Sequence, residues 1–353
     1  MVYLVKDKKV KFGLELLPDG GSKKPYELIF EYARIADKWF DNIWLTHHPW
    51  NADPFTTAGY MASITRHTTI GLGATNPFVI PPVYIAETSG TLFRLYSKRF
   101  ILGVGAGDPE SLNYIGVSRP KKLIKYFREA ISEIRDLLSG KTVRGRSFSW
   151  IEQVDSNSEV YYPKIFIAAQ GPMMLRLAGE ISDGVLINAS HPLQIKMAID
   201  KVVEGARKVN RETLPEIVAY TCFSMDSDSE KAYAASKPPV AYIVSGANDD
   251  VLKYFSIDMS RVESIRSLLR DKKFIEAFNM VDKSMIDSFS ISGDCYQCIS
   301  KIEEIVSVGV DQVVLGSPLG VESEGRWRGK IVYSKEEALR KIIKNILSRY
   351  KRG

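Results

Sequence analysis

The stretch KIFIAAQGPMMLRLAGEISDGVLIN, residues 164–188, contains a complete β-α-β unit. Its two ends, 164–169 and 183–188, are short apolar runs of strand-forming residues, and 173–179 between them has helical spacing. The pair Gly171-Pro172 punctuates the turn from strand to helix. Parallel strands joined in sequence need a crossover, usually a helix, so repetition of this unit specifies a parallel sheet.

The unit recurs along the chain. Strands are expected at 10–17, 42–45, 68–75, 99–106, 164–169, 183–188, 216–223 and 310–315. Helices are expected at 26–39, 83–95, 122–138, 173–179, 194–209 and 335–350. Eight strands alternating with helices fit a closed (β/α)8 TIM barrel better than an open doubly wound sheet. A mostly helical segment at about 226–288 breaks the rhythm after strand seven, an insertion within a single domain spanning 1–353. The last helix opens with Ser334 and Glu337, the spacing of a capping box. It sets Leu339, Ile342, Ile343, Ile346 and Leu347 on one face, which suits the eighth barrel helix; the alternative is a membrane-surface helix.

Composition agrees with this class. Of 353 residues, 45% are hydrophobic and 25% charged, which excludes disordered, collagenous and disulfide-scaffold chains. The net charge of +6 is local. Residues 321–353 hold ten Lys or Arg against four Asp or Glu, and 1–320 are balanced at 38 of each, so a nucleic-acid or membrane partner is not expected. The longest uncharged run, 68–86, contains Asn76, Pro77, Pro81 and Pro82 and cannot span a bilayer. Lys6, Lys8, Lys9 and Lys11 break up the opening residues, so no leader is expected and a cytoplasmic enzyme is.

In such a barrel the chemistry belongs to the loops at the C-terminal strand ends. Those loops collect the unusual residues: Glu15 after strand one, Thr46-His47-His48 after strand two and Gly73-Ala74-Thr75-Asn76 after strand three. Gly105-Ala106-Gly107-Asp108 follows strand four, Ala169-Gln170-Gly171-Pro172 strand five, Asn188-Ala189-Ser190-His191 strand six and Gly316-Ser317-Pro318 strand eight. So many small residues let the backbone approach a large flat ligand. Gly103, Gly105 and Gly107 begin a dinucleotide fingerprint, but its third glycine would fall at Asp108, so that reading fails. Gln170-Gly171-Pro172 opens a helix and is either a phosphate site or a simple tight turn. Four histidines without an HExxH pattern give no expected metal site. Cys295-x-x-Cys298 follows Asp294 at a helix start, where the dipole could lower a thiol pKa; incidental packing is the expected reading, with a redox or disulfide role the alternative.

At these loops the chain resembles the methylenetetrahydromethanopterin reductases, deazaflavin-dependent members of the bacterial-luciferase-like superfamily. The resemblance runs from Lys11-Phe12-Gly13-Leu14-Glu15 to Gly316-Ser317-Pro318-Leu319-Gly320, and is most specific from Ala168 to Ser190. Thr75-Asn76-Pro77 and Val218-Ala219-Tyr220-Thr221-Cys222 add to it. It implies an oxidoreductase passing a hydride from reduced coenzyme F420 to 5,10-methylenetetrahydromethanopterin, giving the methyl pterin, in an assembly of at least two chains. It also implies a non-proline cis peptide behind the deazaflavin ring, which maps to Gly73–Ala74.

By the same match Thr46, His47 and His48 border the ring, with Gly105, Gly107 and Asp108 opposite. Ala169, Gln170, Gly171 and Pro172 meet the phosphate tail or the ring side, and Thr75, Asn76 and Asn188 complete the cofactor-binding set. Glu15, with His48 and Asp108, is the catalytic set; Glu15 would stabilise the cation formed when the pterin's methylene bridge opens. The resemblance departs at His47, where relatives usually carry an acidic residue, and Arg326-Trp327-Arg328-Gly329-Lys330 makes a longer end. Arg326, Arg328 and Lys330 are expected in the loop after strand eight, where they would meet an anionic ligand tail. Two other readings remain: an FMN-dependent luciferase-like monooxygenase, and a non-catalytic deazaflavin-binding protein.

Overall fold

The computed structural model describes residues 2–5, 8–17, 26–48, 51–148, 162–327 and 330–352. Eight strands form the parallel sheet: β1 (Lys8–Leu16), β2 (Asn42–Leu45), β3 (Thr69–Leu72), β4 (Phe100–Gly105), β5 (Ile165–Ala168), β6 (Gly184–Asn188), β7 (Glu216–Met225) and β8 (Gln312–Leu319). They run in sequence order, and β8 also pairs with β1, so the sheet closes as the (β/α)8 barrel expected. The closing ladder matches Gln312 with Lys11 and Leu315 with Leu14. The crossovers are α1 (Leu28–Ala36), α2 (Pro54–Ile64), α3 (Pro82–Leu95), α4 (Leu123–Leu138), α5 (Pro172–Ile181), α6 (Pro192–Lys208), α7 (Cys295–Ser307) and α8 (Glu336–Ile342).

The chain divides into two compact units. One holds 16–186 and 199–216. Here bulky rings on one strand occupy the space that glycine leaves on the next. A Cβ on Gly71 would fall 2.5 Å from the Trp44 ring, and one on Gly184 would fall 2.4 Å from Phe166. Both rings are fully buried and their centroids lie 5.7 Å apart. Helices α5 and α6 approach so closely that a Cβ on Gly179 would meet the Val202 carbonyl at 2.0 Å, and one on Gly205 the Arg176 carbonyl at 1.9 Å. The buried carboxylate of Asp37 accepts the N–H groups of Arg66, His67 and Thr68, tying the end of α1 to the entry of β3.

The other unit holds 1–15, 187–198 and 217–353. It contains β7 and β8, and Asp311 anchors them by accepting the Ile217 N–H at 2.8 Å. The insertion is helical, as expected, with helices Ser229–Gly246, Asp249–Tyr254, Met259–Arg270, Phe274–Asn279 and Lys283–Phe289. These pack their own apolar core, including Val240, Val244, Leu252, Ile265, Met285 and Phe289. The short strand Ile291–Gly293 follows and pairs with the end of β7.

Several expectations need correcting. The segment after strand eight is a β-hairpin, Ser323–Trp327 against Lys330–Ser334. Ser334 is the last residue of a strand, and although its Oγ accepts the Glu336 N–H at 3.4 Å, it is not the N-cap of a capping box. The N-cap is Lys335, and Glu337 pairs with Lys341 instead. The terminal helix turns into a π-helical segment at Ile343–Leu347, and Lys351 and Arg352 leave it to pair antiparallel with Tyr3 and Val2. Its apolar face, from Leu339 to Leu347, is buried as expected.

Burial raises the pKa of Asp37, but its three backbone donors outweigh this and hold it below the ordinary 3.8. A depressed carboxylate stabilises the fold above its unfolded pKa, and that contribution is lost as pH falls through the folded value. Asp37→Ala is expected to cost about 3 kcal/mol at pH 7 by chemical denaturation, and much less at a pH below that folded value. Equal losses at both pH values would contradict this origin.

Candidate active site

In the first unit the main chain after β3 contains the non-proline cis bond Gly73–Ala74, at the position expected. Beyond it the chain runs beside β4. The Thr75 N–H donates to the Gly103 carbonyl at 2.9 Å, and the Thr75 carbonyl accepts the Gly105 N–H at 2.8 Å. Thr75 is fully buried, and its hydroxyl lies 3.3 Å from Nδ1 of His47. Thr46, His47 and His48 are half-buried in the segment after β2. Burial holds the His47 pKa below its ordinary value and the His48 charge adds to this, while Asp53 opposes it, so the ring is neutral at pH 7.

The segment after β4 lies against this one. A Cβ on Gly105 would fall 3.2 Å from the Ala168 Cβ and 3.6 Å from that of Ala74. Gly107 adopts φ +68°, where a side chain is strained, and its Cβ position is 2.5 Å from Nδ2 of Asn76. The buried Asn76 accepts the Phe78 N–H on Oδ1 at 2.8 Å. Its Nδ2 is buried and has no partner among the described residues. Such a donor costs about 1–3 kcal/mol when left unpaired.

Asp108 is expected as a catalytic group, but its carboxylate caps the short helix Pro109–Tyr114 by accepting the Ser111 N–H at 2.9 Å. The guanidinium of Arg119 donates to the Gly107 carbonyl, a contact between positions twelve residues apart that periodicity does not reveal. After β5, Ala169 is buried, whereas Gln170, Gly171 and Pro172 are exposed at the start of α5, where Gly171 is the N-cap and leaves open space around its Cα.

The other unit holds Glu15 and Ser317. Oε2 of Glu15, at the end of β1, accepts the Ser317 N–H at 2.8 Å, and the following bond, Ser317–Pro318, is cis. A Cβ on Gly316 would meet the Thr221 carbonyl at 2.2 Å and Glu15 Oε2 at 2.9 Å, so glycine is required there for the carboxylate to sit as it does. Asn188, at the end of β6, is exposed. Ser190 in the next loop accepts the Cys222 N–H at 3.0 Å. Neither the Ser317 contact nor Ser190 is signalled by sequence spacing.

Arg328 lies outside the described residues, as do the side chains of Arg326 and Lys330. The redox alternative for the cysteines has the electrostatics against it. Cys295 does sit at the start of α7, but burial and the Asp294 charge push its thiol pKa up, and burial pushes that of Cys298 up strongly. All three cysteines are free.

The family model described as luciferase-like monooxygenase matches residues 11–312. The chain is 36% identical to a 5,10-methylenetetrahydromethanopterin reductase of Methanopyrus kandleri over 335 residues, covering 90% of this chain and 95% of the other. It is 37% identical to the corresponding reductase of Archaeoglobus fulgidus over 322 residues, 89% and 96% of the two chains. The solved coenzyme F420 dependent tetrahydromethanopterin reductase of Methanopyrus kandleri superposes with a TM-score of 0.80 at 33% identity, covering 97% of this chain and 99% of that one. An F420-dependent secondary alcohol dehydrogenase at 22% identity, with a TM-score of 0.69 and coverage of 87% and 93%, shares the fold.

An NMR titration should give His47 a midpoint below 6.5. With its folded pKa depressed, stability should decline as pH falls from the unfolded value toward that midpoint. A midpoint at or above 6.5 would contradict the desolvated environment.

Proposed function

The chain belongs to the 5,10-methylenetetrahydromethanopterin reductases of the luciferase-like family, and from that membership we propose how its residues divide the work. It is an oxidoreductase that transfers a hydride from reduced coenzyme F420 to 5,10-methylenetetrahydromethanopterin, giving 5-methyltetrahydromethanopterin. The observation that carries this is the agreement with reductases over nine-tenths of the chain.

The residues present fit a flat deazaflavin. Gly73, Ala74 and Gly105 keep side-chain bulk away from one surface, and the unpaired Nδ2 of Asn76 lies beside it. When bound, F420 supplies the hydride, and the protein supplies position and charge. Thr46, His47, Thr75 and Gly107 are assigned to the borders of the ring, where a neutral His47 adds no charge. Ala169, Gln170, Gly171 and Pro172 are assigned to the cofactor's tail or its ring side, supported by the exposed first turn of α5, and Asn188 to the cofactor as well. His48 is assigned proton handling, a role that imidazole side chains commonly serve. Asp108 holds the Gly107 turn through its helix cap, a positioning role.

Glu15 is assigned to the pterin. Its carboxylate, oriented by the Ser317 N–H, stabilises the positive charge that develops when the methylene bridge opens. An assembly of at least two chains is part of the same proposal. Three free thiols support a cytoplasmic location. Among the described residues no helix is long and apolar enough to cross a membrane.

Anaerobic mixing with reduced F420 and methylenetetrahydromethanopterin should reoxidise the cofactor; oxygen-dependent turnover of reduced FMN in its place would overturn the reading. Glu15→Gln should lower turnover more than about tenfold while leaving F420 affinity nearly unchanged. Unchanged turnover would remove Glu15 from the mechanism. Light scattering should give at least twice the chain mass, and a monomer at micromolar concentration would end the oligomer assignment.

A further inference from the structure

The loop after β6 is fastened by its own side chains. Ser190, buried in it, takes the Cys222 N–H of β7 on its hydroxyl oxygen at 3.0 Å. His191, the next residue, caps α6. Its carbonyl accepts the Ile195 N–H at 3.0 Å, and its Nδ1 accepts the Leu193 N–H at 3.2 Å. Pro192 between them has no N–H to offer. A backbone N–H can only donate, so Nδ1 carries no proton and the ring's one N–H is at Nε2. The same ring lies against the helical insertion, its centroid 4.6 Å from that of Phe255. Phe255 is packed edge-on against Tyr254 and Phe289, at 5.3 and 5.8 Å.

The surroundings favour the ring without a second proton. Burial lowers the His191 pKa, Lys301 of α7 lowers it further, and Glu304 of the same helix opposes both. Lys301 donates to the Asp287 carbonyl in the insertion, and the Asp287 carboxylate is held by Lys283 at 3.1 Å. The exposed Lys253 and Tyr254 precede Phe255, and Lys196 is the first charged residue along α6. A proton on Nδ1 would set N–H against N–H and put a positive charge at the positive end of a helix.

We propose that His191 is a positioning residue: its neutral ring, held by the Leu193 N–H and the Phe255 ring, ties the loop that carries Asn188 to the helical insertion, and a gained proton releases that tie. The insertion is thereby a brace for the loop after β6. The consequence for the cofactor rests on the assignment of Asn188 above, whereas the tie itself does not.

The test is NMR on the full-length chain without ligand, read as protection of the Leu193 amide from hydrogen exchange. The folded pKa is depressed, so the tie is whole above 6.5 and is lost as pH falls through the lower folded midpoint. Protection is expected to drop about fivefold or more between those two conditions, the weight of one hydrogen bond. His191→Asn supplies a capping oxygen that does not titrate, so its Leu193 protection should be equal in both. Phe255→Ala uncovers the ring and should raise the His191 midpoint toward 6.5; if that variant fails to fold, Phe255→Leu is read the same way. Leu193 protection that ignores pH in the unaltered chain overturns the proposal, as does a Phe255 variant with an unmoved His191 midpoint. F420 affinity should weaken on acidification by a larger factor in the unaltered chain than in His191→Asn. Equal factors would overturn the positioning role and leave His191 a helix cap. A chain that bound no F420 at any pH would instead overturn the functional reading, and the positioning role with it, while the Leu193 amide still reported the tie.

Discussion

The parallel ladder between β8 and β1 is the constraint on which the rest depends. Without it each of these strands would expose an edge of unpaired N–H and C=O groups, and the crossover helices would have no closed surface to cover. The ladder also sets the register at which Leu315 meets Leu14, so that Glu15, one residue on, and Ser317, two residues on, come within one hydrogen bond of each other. The position of the candidate catalytic carboxylate is a by-product of closing the sheet. A one-residue slip would turn Glu15 to the opposite face.

Most of the barrel was legible because its signals are local. A buried strand next to an amphipathic helix writes its period into a dozen residues, as in 164–188, and the same pattern located every barrel strand to within a few positions. What escaped are short strands defined by a partner and not by a period: Val2–Val5, Ile291–Gly293, the hairpin at 323–334 and the final pair Lys351–Arg352. The capping box at Ser334 fails by one position: Lys335 stands between the strand and the helix as N-cap, Ser334 reaches only the Glu336 N–H, and Glu337 pairs with Lys341.

The site was legible to the same depth. Clusters of glycine and alanine at strand ends marked the loops, and the family resemblance placed the cis bond at Gly73–Ala74. Charge was harder to read than position. Asp108 is committed to a helix cap, and the thiol of Cys295 at the start of α7 is raised by burial and by Asp294 despite the favourable helix end. Those outcomes depend on desolvation and on neighbours distant in sequence, neither of which spacing encodes.

Glu15 and Ser317 are separated by 302 positions, which turns a matter of geometry into one of time. On a ribosome Glu15 is made 302 residues before Ser317. Through that stretch of synthesis residues 11–14 of β1 lack their β8 partner, and the growing sheet must be kept from pairing with other chains. Closing so long a loop also puts this barrel among topologies whose folding is set by the slow meeting of distant segments. The carboxylate assigned to the pterin is thus made early but oriented late, and a chain stalled before β8 would carry Glu15 without its Ser317 donor.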